Sequence, residues 1–400
     1  MSLHPEEDLE LASVPPTGPE VADRRDSFRV LHLTQSSAPG GIQRLLRELV
    51  PLQVERGLIV GVACPPTNGL DPIVRASGAR SYEWRATRGF RVPALVRESV
   101  RLRWIVSDFR PDVVHLHSSK AGLIGRLTYR GPAVFQPQAW SFHHVPAIAR
   151  PVISSWERLG QHLVTRTICS SLEEQREGLS RGIGRDASVI ENGIDLRQFP
   201  VQSADDRLAA RSALGIAPHT PLAVCVGRFC RQKGQDMLLE AWPSVLGKVP
   251  DAVLLLVGGG PDEASLKRRE TPNVQWLPWQ TDVRPHLAAA DVVVMPSRWE
   301  GMSFGLIEAL ASGRSVVATS ATAMRENIEP SQAGAVVELD AVAPLGLAKA
   351  IVERLTDPEL CAREGSNGRR RAEELDIGHM EERLYAEYRA VLAVAGRRRV

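Results

Sequence analysis

An α/β architecture of two doubly wound, parallel-sheet domains facing a central cleft is predicted here, and three observations carry that prediction. Short apolar runs alternate with amphipathic stretches from Phe28 onward, the order in which parallel strands alternate with covering helices. The alternation restarts after the turn phrase Glu191-Asn192-Gly193-Ile194-Asp195, so each half closes a sheet of its own. Glycines follow several strands, Gly40-Gly41 in the first half and Gly227 and Gly258-Gly259-Gly260 in the second. Ligands of such folds lie outside the carboxyl ends of the strands, which makes the cleft between the halves the expected site.

The first half opens on a strand, Phe28 to Thr34, and an amphipathic helix, Ile42 to Glu55, that buries Leu45, Leu46, Leu49 and Leu52. The Gly-Gly turn between them is not GxGxxG; it can hold an anion against bare backbone or serve sterics alone. Leu58 to Ala63 is the next strand, and Arg91 to Phe109 a basic helix with Arg97, Arg101 and Arg103. A solvated face is the first reading of that helix, a membrane surface the second. Pro111 to His117 is a buried strand with His115 and His117 on one side. Two histidines could begin a metal site, but no third ligand follows at a suitable spacing, so core or acceptor-cleft histidines are expected. Ala133 to Gln138 leads into Ala139-Trp140-Ser141-Phe142-His143-His144, suited to sugar stacking or proton handling and equally to a plug over the core. Strands at Leu163 to Ser170 and Asp186 to Ile190 complete this half.

In the second half a short helix, Asp205 to Leu214, precedes the strand Leu222 to Val226, which ends in Gly227-Arg228-Phe229. Lys233-Gly234 opens a helix through Val245; Ala252 to Val257 and Val274 to Leu277 are strands, the latter followed by Trp279 and Gln280. The organising stretch is Asp291 to Thr319: a strand ended by Pro296, a loop carrying Glu300, a helix capped by Ser303 and stopped by Gly313, and a second strand. Gly334 to Leu339, a helix from Pro344 and a last amphipathic helix, about Glu381 to Ala393, finish the chain. The expected division is a disordered leader over 1–27, domains at 28–195 and 196–375, and a C-terminal helix in 376–400 that could pack back on the first domain.

At 400 residues the chain can build two full cores. A net charge of +2 speaks against nucleic acid as a partner. Five cysteines with no CxxC pair fit reduced thiols. No apolar stretch approaches the roughly 20 residues of a membrane span, and the acidic N-terminus lacks the apolar segment of a secretory signal. A cytoplasmic protein is expected, with contact to the inner face of the membrane peripheral at most.

Arg228 and Lys233 lie at a strand end and the next helix start, so both can reach one cleft, where two cations neutralise a diphosphate. Gly305, beside the helix start, lets a phosphate approach bare N–H groups. Glu300 and Glu308 are eight positions apart. Eight helical steps would separate them by roughly 12 Å, too far for the pair a retaining hydrolase sets about 5 Å apart. Two separate jobs along one extended ligand fit better.

With these residues the chain resembles the GT-B glycosyltransferases of family GT4. The likeness covers nearly everything from Phe28 on. It rests on Gly227-Arg228-Phe229 with Lys233-Gly234, the glycines 258–260, Ser297 to Glu300 and Glu300-x7-Glu308 with Ala309, and Gly40-Gly41 and Glu191 to Asp195 support it. The resemblance implies a retaining, hexosyltransferase-type enzyme. It would move a sugar from a UDP- or GDP-linked donor to an unidentified glycan, lipid-linked or small-molecule acceptor, and would need no cofactor. By the same resemblance Arg228 and Lys233 hold the diphosphate, Glu308 the ribose hydroxyls and Glu300 the donor sugar near its reacting carbon; Arg228, Lys233 and Glu300 are thus the catalytic set. The backbone of Ser303, Phe304, Gly305 and Leu306 touches sugar and phosphate, and that around Trp279 and Gln280 the base. Gly41, next to Gly40, brings its N–H to the phosphates on closure. No D-x-D occurs, so no metal is expected on the diphosphate and the arginine–lysine pair takes that role. One departure stands out: Gln138, counted with the donor contacts, replaces a histidine common in relatives, and an amide cannot carry an imidazolium's charge. It motivates a competing reading as a non-catalytic nucleotide-sugar-binding relative. A GT-B nucleotide-sugar epimerase is the other alternative, opposed by the paired glutamates.

Overall fold

In the computed structural model, residues 27–35, 40–87, 89 and 91–397 are described. All but the last residue of the expected leader 1–27, the stretch 36–39 before the Gly-Gly turn and the tail 398–400 lie outside them.

Seven strands form the first sheet: β1 (Arg29–Thr34), β2 (Ile59–Cys64), β3 (Arg80–Glu83), β4 (Val113–His117), β5 (Ala133–Gln136), β6 (Arg166–Cys169) and β7 (Ser188–Val189). Their order is β3-β2-β1-β4-β5-β6-β7, with every pairing parallel. The second sheet holds β8 (Leu222–Val226), β9 (Val253–Val257), β10 (Val274–Leu277), β11 (Val292–Met295), β12 (Ser315–Thr319) and β13 (Gly334–Val337) in the order β10-β9-β8-β11-β12-β13, again parallel. Runs such as VLLLV in β9 and VVVM in β11 are apolar at consecutive positions because helices cover both faces of the sheet. Strand order reverses between β1 and β4 and between β8 and β11, and those two switch points put the following loops at a crevice.

The chain passes between the sheets twice, side by side. Ile194 pairs with Asp376 in a parallel bridge, its N–H bonded to Leu375 O at 2.9 Å and its carbonyl to Ile377 N at 3.0 Å. The last helix, Ile377–Arg397, then lies on the first sheet. Its Met380, Leu384, Tyr388 and Val391 share a core with Leu45, Leu46, Leu49 and Val50 of the first helix, Gly41–Glu55. Arg56 Nε bonds Glu381 at 2.6 Å across that contact. The helix begins four residues before the amphipathic pattern suggested, since Ile377 and Met380 are already buried.

Other expected boundaries move for local reasons. β5 stops at Gln136 because Gln138 and Ala139 take φ of 55° and 90°, outside any strand. The strand expected from Leu163 starts at Arg166, with Gln161–Leu163 in a 3-10 turn. Trp140 and Phe142 are fully buried, and Trp140 Nε1 bonds Glu174 O at 2.7 Å, so these two rings plug the core. A helix at Pro358–Glu374 escaped the periodicity reading, since Gly365 and Gly368 inside it lower helix propensity. They are there for packing: a Cβ on Gly365 would stand 2.1 Å from Gly313 O.

Candidate functional site

The second domain builds one wall from its two switch-point loops. After β8 the chain turns back through Gly227 to Gly234 into the helix Gln235–Leu246. Gly234 has φ 67°, and a Cβ there would lie 1.9 Å from Pro296 O, so glycine alone lets this turn touch the loop after β11. That approach seats Lys233 against the Glu300 loop. Lys233 Nζ donates to Glu300 Oε1 at 2.6 Å, and Ser297 Oγ donates to the same oxygen at 2.6 Å. Ser297 and Glu300 are buried, while 23% of the Lys233 side chain remains exposed. Gln232 Nε2 bonds Trp299 O at 3.0 Å and Arg298 N bonds Gln232 O at 2.7 Å, stitching the loops together. Arg228 lies half-buried with a guanidinium nitrogen 3.5 Å from Gln232 Oε1, which leaves it loosely held beside the same loop.

Helix Phe304–Ala311 starts directly after that loop. Ser303 occupies the N-cap position, but its side chain makes no capping bond, which corrects the expectation that it would. The first N–H groups of a helix lack intrahelical partners, so without a side-chain cap those of Phe304 and Gly305 are available to an anion. Leu306 is fully buried in the second core, whereas Phe304 belongs to the core of the first domain. A Cβ on Gly41 would stand 2.9 Å from the Phe304 ring. Gly41, with Gly40 as the N-cap of its helix, is therefore where the two walls meet.

Glu308, one turn further on, meets an arginine that the sequence reading passed over. Arg44 reaches across from the first domain to within 3.4 Å of Glu308 Oε1, while its Nε holds Glu48 at 2.5 Å. Glu48 in turn accepts from Asp195 N at 2.8 Å. Burial pushes the Glu308 carboxyl up to about 7; Arg44 and Lys233 oppose the rise, and Glu48 and Asp282 add to it. The available signal was spacing: Arg44 follows Gly41 by three residues and so shares its helix face.

Lys233, Glu300, the 303–306 backbone, Glu308 and Gly41 thus border one crevice, with Arg228 at its edge. Gln138 spends its side chain within the first domain, while its backbone lies against Gly301, next to Glu300. Its side-chain amide exchanges two 3.0 Å bonds with Asn192, and Asn192 Nδ2 also bonds Met302 O at 2.9 Å. Trp279 and Gln280 follow β10; Trp279 is 44% exposed, and Gln280 Nε2 bonds Pro278 O of its own loop at 3.3 Å. A cleft of about 610 Å³ opens beside Trp299, lined by His143, Arg150, Arg231 and Arg298 among others. Arg298 is paired with Asp236 at 2.7 Å and His143 with Glu177 at 2.7 Å.

Among the described residues no helix is long and apolar enough to cross a membrane. His115 and His117, expected in core or cleft, are fully buried under the first and last helices.

Comparison with known proteins agrees with this architecture. Residues 39–198 match the family described as Glycosyltransferase Family 4, and residues 220–357 match Glycosyl transferases group 1. A GDP-mannose-dependent monoacylated alpha-(1-6)-phosphatidylinositol monomannoside mannosyltransferase of Corynebacterium glutamicum is 36% identical over 197 residues, 46% of this chain and 51% of that protein. A UDP-Gal:alpha-D-GlcNAc-diphosphoundecaprenol alpha-1,3-galactosyltransferase of Escherichia coli is 28% identical over 72% of this chain and 78% of its own. The crystal structure of HepE from Anabaena with UDP and glucose superposes with a TM-score of 0.77 at 20% identity, covering 91% of this chain and all of that one.

Proposed function

We propose, from the premise that this chain belongs to the family 4 glycosyltransferases and has their GT-B fold, that it transfers a hexosyl group with retention from a nucleoside-diphosphate sugar. The observation that carries the reading is the junction of two switch-point loops at Lys233 and Glu300, directly before an uncapped helix start. Lys233 spends one donor on Glu300 and keeps two for phosphate oxygens. Arg228 and the N–H groups of Phe304 and Gly305 supply further positive charge where the leaving diphosphate develops its own. Glu308 accepts from the ribose hydroxyls. Glu300, held by Ser297 and Lys233, faces the sugar, and the leaving phosphate oxygen takes the acceptor's proton on the same face. In this scheme the cations do the work of a metal at the diphosphate.

The arginines of the 610 Å³ cleft favour an acceptor carrying an anionic group. The names of the Corynebacterium and Escherichia relatives both specify a lipid-linked phosphate, and that class is our reading for this chain. Peripheral membrane contact goes with it. Helix Val92–Phe109 exposes Val92, Val96, Val100 and Trp104 at four-residue intervals, with Arg97 and Arg103 exposed beside them. We place that work at the cytoplasmic face.

Incubation with UDP- and GDP-sugars and lipid-linked acceptors, followed by nucleotide release, tests the reading. Release that persists in EDTA is expected. Tight nucleotide binding with no turnover on any pair would favour the binding-module alternative, which the diversion of Gln138 to Asn192 keeps in play.

A further inference from the structure

We propose that His32, His115 and His117 form a three-imidazole site for a divalent transition metal, zinc above all, closed inside the first domain. The sequence offered only His115 and His117. The third member stands 83 residues upstream on β1, and parallel pairing of β1 with β4 sets His32 directly opposite His115. Alternation along each strand turns all three to the face covered by the first and last helices. All three are fully buried. One nitrogen from each comes within 4.8 Å of the others, and His32 Nδ1 and His117 Nε2 are already 2.9 Å apart.

Two of the three rings have the outer contact a ligating histidine needs. A metal-bound imidazole donates its far N–H to an acceptor, which fixes tautomer and ring angle. His32 Nε2 lies 2.7 Å from Gln53 Oε1 of the first helix, and His115 Nδ1 lies 2.7 Å from the Tyr388 hydroxyl of the last helix. With those protons placed outward, His32 Nδ1 and His115 Nε2 present lone pairs inward. His117 Nδ1 has no hydrogen-bond partner, and the amide of buried Gln136, which pairs with His117 in the sheet register, stands against His115. A buried polar atom left without a partner is costly. A cation bound to the inward nitrogens would have the Gln136 carbonyl available as a fourth donor. Binding needs no net proton release: the proton that His117 Nε2 shares with His32 Nδ1 moves to His117 Nδ1. Burial also holds the rings neutral, the form that coordinates metal. Zinc accepts three imidazoles and one oxygen readily.

The site touches none of the diphosphate-binding groups, so it is structural, locking both helices to the sheet, and it stands whether or not the donor reading does. The test is metal content of untagged full-length protein after chelator washing and gel filtration. About one equivalent of zinc per chain, released only on unfolding, is expected. Cobalt supplied during refolding should give visible d–d bands of a nitrogen-rich four- or five-coordinate ion, absent in His117→Gln. Should that variant fail to fold, the wild type decides alone: refolding with zinc must raise its melting temperature above that of the chelator-treated protein. No retained metal and identical melting with and without zinc would overturn the proposal.

Discussion

Glu300 and Glu308 sit eight residues apart on one continuous piece of chain, yet their surroundings differ in kind. Glu300 is bound entirely within its own domain, by Lys233 and Ser297 at 2.6 Å each. Glu308 faces across the crevice to Arg44 of the other domain, and burial pushes it up to about 7. A preformed, fully bonded carboxylate suits a group that must not move while charge develops beside it. One whose main cation comes from the opposite wall is suited to sensing whether the crevice is closed. On the proposed reading the paired glutamates are not a catalytic couple but two stations, the first set by local chemistry and the second by domain approach.

The most severe test of that contrast is Lys233→Ala. On the proposed reading it removes a phosphate-facing cation and leaves Glu300 buried with only Ser297, so transfer should fall by about 10²–10³-fold with the far-ultraviolet dichroism unchanged. Near-normal turnover would break the assignment. Glu300→Gln should cost somewhat less, about 10²-fold in kcat, while affinity for the free nucleoside diphosphate stays close to wild type. A large loss of nucleotide affinity would instead put Glu300 and Glu308 on the same part of the donor.

Glu308→Gln should act mainly through KM for the donor, raising it about tenfold, as loss of bonds to a charged acceptor does. Its sharper signature is pH. If Glu308 holds the ribose as proposed, its carboxylate form accepts from both hydroxyls, whereas the protonated form, with one oxygen turned donor, cannot. Affinity for a nucleotide sugar, whose diphosphate diester does not titrate in this range, should therefore rise as pH passes upward through about 7 and fall below it. The step should vanish in Glu308→Gln. In Arg44→Met it should move to higher pH, because the arginine is the first of the two cations that oppose the rise. Calorimetric titration across that range decides both; a flat profile in the wild type would refute the role of Glu308.

The sequence was informative where chemistry is local and poor where it depends on the approach of distant segments. Alternating apolar runs located nearly every strand, because a strand buried on both faces has to be apolar throughout. The Arg228, Lys233, Glu300 and Glu308 spacing was legible for a similar reason: all four belong to the loops that follow strands of one sheet or to the helix that one of those loops opens. Arg44 was not, since nothing in the first helix says that Glu308 lies opposite. His32 escaped because its partners are 83 and 85 residues away and only sheet register joins them. The Pro358–Glu374 helix was hidden by glycines that let it pack closely, Gly365 on Gly313 and Gly368 on Leu310.

Gln138 gives the smallest expected effect, and the contrast between stations explains why. A histidine at this position would be expected to contact the donor sugar, yet Gln138 has φ 55° and spends both amide atoms on Asn192, beside the point where the chain crosses between domains. Asn192 holds Met302 O, two residues from Glu300. The amide pair thus acts on the Glu300 station from behind, through backbone, rather than on the donor. Gln138→His should therefore change kcat by only a few-fold, since the imidazole cannot reproduce both bonds to Asn192, and what it gains toward the sugar is offset by a looser Met302. Gln138→Ala separates the two roles. If the amide pair supports the loop, alanine lowers kcat at constant donor KM; if Gln138 instead contacts the donor, KM rises and the pairing with Asn192 has no kinetic weight.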